Sequence, residues 1–373
     1  MDNYICFDVE TTISNKGSPY DRSNFVVLWG YHGSNFGSSI STNLEPFTRE
    51  MGTVVGFNLK FDLTWAKRNG ILLDELVIHD CQLAHFLLTG QSSAYPSLDR
   101  VSEQLGLGRK LDKVKEYWEA GINTDQIPDE ILREYLVQDL LLTEQVYLRQ
   151  MQAFEKKPQL YKLFQLQCED LLTLLDMEYN GIVVDVPGCN AKAIECEKQL
   201  KQIDADLVEF AGDVPINYNS NDHLSCLIYG GCITHEVKVP VGVYKTGAKV
   251  GQVRNKKMEY KFDLPRLATP PKGSELAKEG YYSTDEDTLR NLTGGRKLKR
   301  LVELLLARSR LEKLRGTYLV GVPEQLQRSN SFDGRLHGQF NQVVARTGRL
   351  SSSSPNLQNF NPEIKQLLPS RFQ

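Results

Sequence analysis

Tyr4-Ile5-Cys6-Phe7-Asp8-Val9-Glu10 is an apolar run rich in β-forming residues that leads into an acid–x–acid pair. Successive side chains of a strand point to opposite faces, so Asp8 and Glu10 leave the same one. Two carboxylates there repel unless something cationic sits between them, and hard divalent ions prefer oxygen ligands. Alone the pair is weak evidence, because surface strands often carry it. Further along, residues 24–30 and 53–57 read as strands too, the latter running into a helical stretch over 59–68. Helical periods then dominate, including 129–150, where Leu132, Leu136, Asp139 and Leu140 fall on or near one stripe. Strands first, with helices interleaved and following, predict an α/β domain ending near residue 155. Lys156-Lys157-Pro158 is a suitable joint to a second domain.

The 373 residues leave room for two or three domains. Hydrophobic residues at 40% and charged residues at 24% describe a globular protein. No apolar run approaches the ~20 residues of a membrane span, and the start is not a basic, apolar leader, so a cytoplasmic protein is expected. Seven scattered cysteines without a CxxC pair point to reduced thiols rather than a disulfide framework or zinc site.

The net charge of −3 conceals a division along the chain. Residues 233–272 carry nine Lys or Arg against three acids, and residues 290–328 carry ten against three. Such segments suit phosphate binding, and they equally describe solvated faces. Helices are predicted over 163–178, ending at Asn180-Gly181, and over 190–210. Residues 235–262 change period, with Val237, Val239, Val241 and Val243 and then Met258, Tyr260 and Phe262 alternating, which predicts a basic β-hairpin. A helical period returns over 298–317.

Two further segments join the acid pair. Asn58-Leu59-Lys60-Phe61-Asp62 follows a strand, and Tyr135 and Asp139 stand at i and i+4 of a predicted helix, on one face. In this order the three pieces resemble the exonuclease motifs of the DnaQ-like (DEDD) 3′–5′ exonucleases, and the tyrosine matches the DEDDy subgroup. The resemblance implies that Asp8, Glu10, Asp62 and Asp139 hold two divalent ions, Mg²⁺ or Mn²⁺. Tyr135 would position the attacking water, as a donor rather than a base given an ordinary tyrosine pKa near 10. Asn58 and Phe61 would shape the pocket for the terminal nucleotide, although a turn residue and a core aromatic explain them equally well. Asp80 is read as structural, and the histidines show no ligand spacing.

The second half carries another resemblance. Val344-Ala345-Arg346-Thr347-Gly348-Arg349-Leu350-Ser351-Ser352 and Pro355-Asn356-Leu357-Gln358-Asn359 are similar to the TGRLSS…PNLQN segment that leads into the palm of family A DNA polymerases. Glu178 to Asp185, Ile216 to Ser220, Tyr282 to Leu289 and Arg308 to Tyr318 resemble other segments of that family, with His223-Leu224 where Gln-Leu is usual. By analogy Lys313, Arg346, Arg349, Gln358 and Asn359 would contact DNA, Arg349 from the minor groove. The fold class implied is an α/β ribonuclease H-like exonuclease domain (1–155), a mostly α-helical thumb region (156–330) with the basic hairpin (about 233–272), and the beginning of a palm (331–373).

The palm and fingers motifs that come next in that family do not occur in this sequence. The expectation is therefore the exonuclease and DNA-gripping subunit of a split, phage-type family A polymerase, not polymerase-active alone. Its partners would be single-stranded 3′ ends, primer–template and a chain supplying palm and fingers, with no membrane. Two other readings stand beside it: a DEDDy nuclease acting on RNA, and a non-catalytic DNA clamp. Substrate sugar preference separates the first, and metal-dependent activity the second.

Overall fold

The computed structural model describes residues 3–33, 35, 37–108, 113–243, 245–247 and 249–370. Residues 1–2 and 371–373 of the expected domains, and 244 and 248 of the expected hairpin, lie outside the described residues. The chain forms two compact units, one holding residues up to Val186 together with those from Val322 onward, the other Pro187–Gly321.

The first unit is built on a five-stranded mixed sheet. Its strands are β1 (Tyr4–Thr11), β2 (Val26–Gly33), β3 (Gly37–Ser41), β4 (Thr53–Gly56) and β5 (Val77–Asp80), in the order β3-β2-β1-β4-β5. The antiparallel β2 joins β1 to β3, while β4 and β5 run parallel to β1. β1 is thus central and buried on both faces. Ile5, Phe7 and Val9 belong to one apolar core, and Tyr4 and Cys6 to a second. A fully buried side chain of this size contributes about 2 kcal/mol.

Helix α1 (Leu59–Arg68) follows β4, and α2 (Cys81–Leu88) follows β5 directly. Asp80 serves both: its Oδ1 accepts the Leu83 N–H at 2.9 Å as the α2 cap, and its Oδ2 accepts the Leu59 N–H at 2.7 Å at the start of α1. After α3 (Leu98–Gln104) and α4 (Lys113–Glu119), the 27-residue α5 (Asp129–Glu155) crosses the face that holds Tyr4 and Cys6. Asp129 and Glu130 complement the dipole of its first turn.

Helix α6 (Pro158–Asn180) opens on proline and stops at Gly181, whose φ of 61° only glycine adopts cheaply. A Cβ there would also stand 2.8 Å from the His337 ring. Phe164, Cys168, Leu171 and Leu175 of α6 enter the core of Phe7 and Val54. The stripe seals α6 onto the sheet, so the first unit does not end near residue 155. The other boundary falls between Gly321 and Val322, a little before 330, and the returning segment joins the first unit where Ile182 bridges Leu336 and strand β8 (Gln339–Asn341) lies against α6. Contact therefore groups the chain differently from the cuts expected at 155 and 330.

A buried ion pair fixes this junction. Lys60 Nζ lies 2.6 Å from Glu178 Oε1, with side chains 20% and 4% exposed. The same oxygen accepts the Phe340 N–H at 2.6 Å, and the ammonium donates to the Phe340 carbonyl. Burial pushes the Glu178 carboxyl up, against the pull of Lys60.

The second unit packs α7 (Val186–Ala211), α8 (Asn221–Tyr229), a short α9 (Glu286–Arg290) and α10 (Arg296–Lys313). Leu298, Leu301, Leu304 and Leu305 of α10 meet Leu207, Leu227 and Ile228, and α10 continues into a π-helical stretch, Leu314–Val320. The hairpin is β6 (Gly231–Val243) and β7 (Val253–Leu264), a few residues longer than the alternating run 235–262 and ending before 272. Only its base is buried, through Ile233 and Leu264. Lys238 faces Lys257 on one side of the ribbon, and Val237 faces Met258 on the other.

Two buried groups of the first unit have measurable consequences. His79 is buried, its ring 3.0 Å from Gln150 Oε1, and burial pushes its pKa down to about 4. The unfolded chain takes up this proton near pH 6.5 and the folded chain only near 4, so its contribution is lost as pH falls through that window. Thermal unfolding by circular dichroism at pH 7 and 4.5 is expected to show a smaller drop in His79→Gln than in the parent; equal drops would refute it. Glu178→Ala strands the Lys60 ammonium and is expected to cost about 3–5 kcal/mol. Lys60→Met/Glu178→Met together should cost less, and a double variant as unstable as Glu178→Ala would contradict this.

Candidate active site

The carboxylates of β1 come together with one from α5. Asp8, Glu10 and Asp139 place one carboxylate oxygen each within 4.8 Å of one another, with Glu10 and Asp139 buried and Asp8 half-buried. Gly30 makes the approach possible. It is the direct partner of Asp8 across the β1–β2 ladder, and a Cβ there would stand 2.8 Å from Leu140 and 2.9 Å from Leu136. With no side chain at that point α5 lies close on the sheet, and Asp139, between those two leucines, reaches the carboxylates of β1.

Asp62, in the first turn of α1, is buried at 3% exposure. Burial raises its pKa well above the usual carboxylate range, and the nearby charges of Asp8 and Asp80 raise it further; backbone N–H groups, among them that of Val9, oppose this. Asp62 is thus within electrostatic reach of Asp8. An all-oxygen donor set at this spacing fits a hard divalent cation, which would relieve the repulsion that otherwise favours protonation.

Tyr135 lies one turn before Asp139, buried, with its ring edge-on to Trp118 at 6.0 Å. Asn58 is exposed in a left-handed conformation, φ 59°, at the start of α1, and Phe61 is half-buried against the core of Leu59 and Leu63. Asp80 is the double helix cap already described. Arg346, Arg349, Gln358 and Asn359 lie exposed on the segment after β8, where Gln358 Nε2 holds the Leu350 carbonyl at 3.1 Å. Lys313 is exposed at the end of α10, in the second unit.

Sequence reasoning did not single out Gly30, Lys60 or Glu178. Gly30 had a signal, a glycine between Trp29 and Tyr31 in an apolar strand, which marks close approach by another element. Lys60 and Glu178 had none, being 118 residues apart.

Comparison with known proteins agrees with the second resemblance. A family model described as DNA polymerase family A matches residues 259–368. The chain is 32% identical to the thermostable DNA polymerase I of Thermus filiformis over 186 residues, which is 50% of this chain and 17% of that protein. It is 26% identical to DNA polymerase I of Bacillus subtilis (strain 168) over 280 residues, 75% of this chain and 26% of that one. The chain therefore spans about a quarter or less of these relatives' length. In fold it is similar to the POL domain of Pol1 from M. smegmatis, solved in complex with DNA primer-template and dNTP, with a TM-score of 0.65 and 17% identity over 97% of this chain and 53% of that one. Among the described residues no helix is long and apolar enough to cross a membrane. The polymerase-like motifs at 282–289, 308–318 and 344–359 all lie inside the stretch that the family A model matches, and the chain as a whole is similar to part of these polymerases.

Proposed function

We propose that this chain is a metal-dependent 3′–5′ exonuclease of the DEDDy kind that trims DNA ends, with a proofreading role, and holds DNA through its basic segments. The observation that carries the reading is the convergence within 4.8 Å of oxygens of Asp8 and Glu10, neighbours on β1, with one of Asp139, 129 or more positions further on in α5. A buried structural cluster of this composition would be self-repelling. A central strand of a mixed sheet bearing the acids also supports a ribonuclease H-like domain.

Asp8, Glu10, Asp62 and Asp139 would hold two divalent ions, Mg²⁺ or Mn²⁺, which when bound supply charge stabilisation at phosphorus and at both oxygens of the displacement. In the hydrolysis water adds to the terminal phosphorus, the P–O3′ bond breaks, and the leaving oxygen takes a proton. The products are a nucleoside 5′-monophosphate and a strand one residue shorter with a new 3′-hydroxyl. Tyr135 orients the water through its hydroxyl, held in place by Trp118. Asn58 and Phe61 flank the terminal nucleotide from the start of α1. Arg346, Arg349, Gln358 and Asn359 would hold duplex from the minor groove side, where acceptors recur at every base pair. Lys313 and the hairpin would meet phosphates.

The first test is a time course on a 5′-labelled DNA oligonucleotide with Mg²⁺, with a matching RNA in parallel. Stepwise shortening from the 3′ end is expected, abolished by EDTA and reduced more than about 100-fold in Asp8→Ala/Glu10→Ala. Calorimetric titration with Mn²⁺ should lose its binding signal in the same variant. Intact DNA in every lane would sink the proposal, and preferential loss of the RNA would transfer it to RNA substrates.

The hairpin has its own test. If it contacts phosphates, the affinity for single-stranded DNA falls with salt, and Lys238→Gln/Lys256→Gln/Lys257→Gln reduces the log–log slope by about 2, at ~0.7 per lost contact. An unchanged slope would remove the hairpin from the DNA interface.

A further inference from the structure

The loop after α2 holds an aromatic ring outward on a strained backbone. Gln91 and Tyr95 both adopt left-handed conformations, with φ of 58° and 45°. For a bulky residue this is a true outlier, and the proline at position 96 restricts Tyr95 further. The strain persists because the loop is pinned on several sides. The Gln91 N–H donates to the Phe86 carbonyl at 2.8 Å, Ser92 Oγ to the Thr89 carbonyl at 2.9 Å, and Gln82 Nε2 to the Pro96 carbonyl at 3.0 Å. The Tyr95 N–H itself donates to the Val343 carbonyl at 3.2 Å, in the segment after β8. A backbone so fixed still leaves the side chain 55% exposed.

The surroundings of the ring give it a use. Tyr95 lines a shallow cavity of about 50 Å³ with Asn58, Lys60, Gln82, Asn341 and Gln342. This is too small to enclose a nucleotide, so a ligand lies across its mouth. Gln82, Asn341 and Gln342 already donate to the Pro96 carbonyl, Ser353 Oγ and the Gln167 carbonyl, so what this surface offers is the tyrosine face, which stacks on any base. Lys60 is committed to Glu178, so phosphate attraction is not what this surface offers. Position completes the case: Asn58 begins the helix that carries Asp62 one turn later. Gln342 also lines a second groove, of about 270 Å³, with Gly348 and Leu350 on either side of Arg349. The cavity thus lies between the polymerase-like segment and the carboxylates.

We propose that Tyr95 is a stacking platform for a base of single-stranded DNA, upstream of the nucleotide held at the carboxylates. The strained loop keeps the ring ready, so that little ordering is needed when the strand arrives. This deepens the exonuclease reading and rests on it for the direction of the strand. Tyr95 binds substrate and takes no part in bond breaking.

The probe is a single-stranded DNA 12-mer with 2-aminopurine placed at successive positions from the 3′ end, titrated in EDTA so that binding is read without hydrolysis. One internal position is expected to be quenched by the full chain. Tyr95→Ala should abolish that quench and weaken binding about tenfold or more, while Tyr95→Phe keeps both. Tyr95→Asn, which tolerates a left-handed backbone, removes the ring without disturbing the loop and should behave as Tyr95→Ala. With Mg²⁺, the ring-deleted variants should raise KM and hold kcat within about twofold. Unchanged quench and affinity in Tyr95→Ala and Tyr95→Asn, or loss in Tyr95→Phe as well, would overturn the subsite. If the parent chain binds with the expected quench but never shortens the DNA, the exonuclease reading fails and the subsite stands. A parent chain that binds no DNA overturns both.

Discussion

Four carboxylates near one central strand are mutually repulsive, and much of the first unit can be read as the means of holding them there. Burial raises the cost of ionising Asp62, and Asp8 and Asp80 raise it further. Such a group is retained only if its position is over-determined by its surroundings. Three devices do that. The ladder to β2 pairs Asp8 with Gly30 and Glu10 with Leu28, which fixes the face both acids leave from. Gly30 removes the one side chain that would hold α5 away. Asp80 caps two helices at once, fixing the start of α1 and with it Asp62.

Much of this was legible in the sequence. Period two over Tyr4–Thr11 and the helical period of α5 decided the face of each acid, because side-chain direction is a local property. The same holds for α6, whose Pro158 start and Gly181 stop are backbone signals. The sequence reading missed β3, where Gly37 to Ser41 is small, polar and largely exposed, with no apolar alternation to announce it. It also read the alternation over 235–262 only, whereas the ladder runs from Gly231 to Leu264, with Ile233 and Leu264 entering the core at its base.

Other features were illegible for a different reason. Phe164, Cys168, Leu171 and Leu175 form a visible stripe, but a stripe does not say what it packs on. It packs on the sheet, and so the contact boundary moves from about 155 to Val186. A lysine in α1 and a glutamate near the end of α6 look like ordinary charges until the fold brings them to 2.6 Å in a largely dry setting. Burial is a property of the tertiary structure, and it turns a pair of little consequence on a surface into one that cannot lose a partner cheaply.

That pair bears on how the two resemblances fit together in one chain. Lys60 sits between Asn58 and Asp62, whereas Glu178 opens one of the polymerase-like stretches and Phe340 lies in the part that the family model matches. Glu178 satisfies the ammonium and the Phe340 N–H with one oxygen, and its own carbonyl meets His337 Nδ1 at 2.8 Å. His337 in turn stacks on Tyr20 at 4.1 Å, back in the segment between β1 and β2. The contacts form a closed circuit, from α1 to α6 to the strand before Arg349 and back to the sheet. Removing α6 and the segment around β8 would leave Lys60 without its acceptor, Tyr20 without the ring it stacks on, and the sheet face beneath Phe164, Leu171 and Leu175 in water. The carboxylates and the start of the polymerase-like segment thus lie in one compact unit, joined through the helix that carries both Lys60 and Asp62.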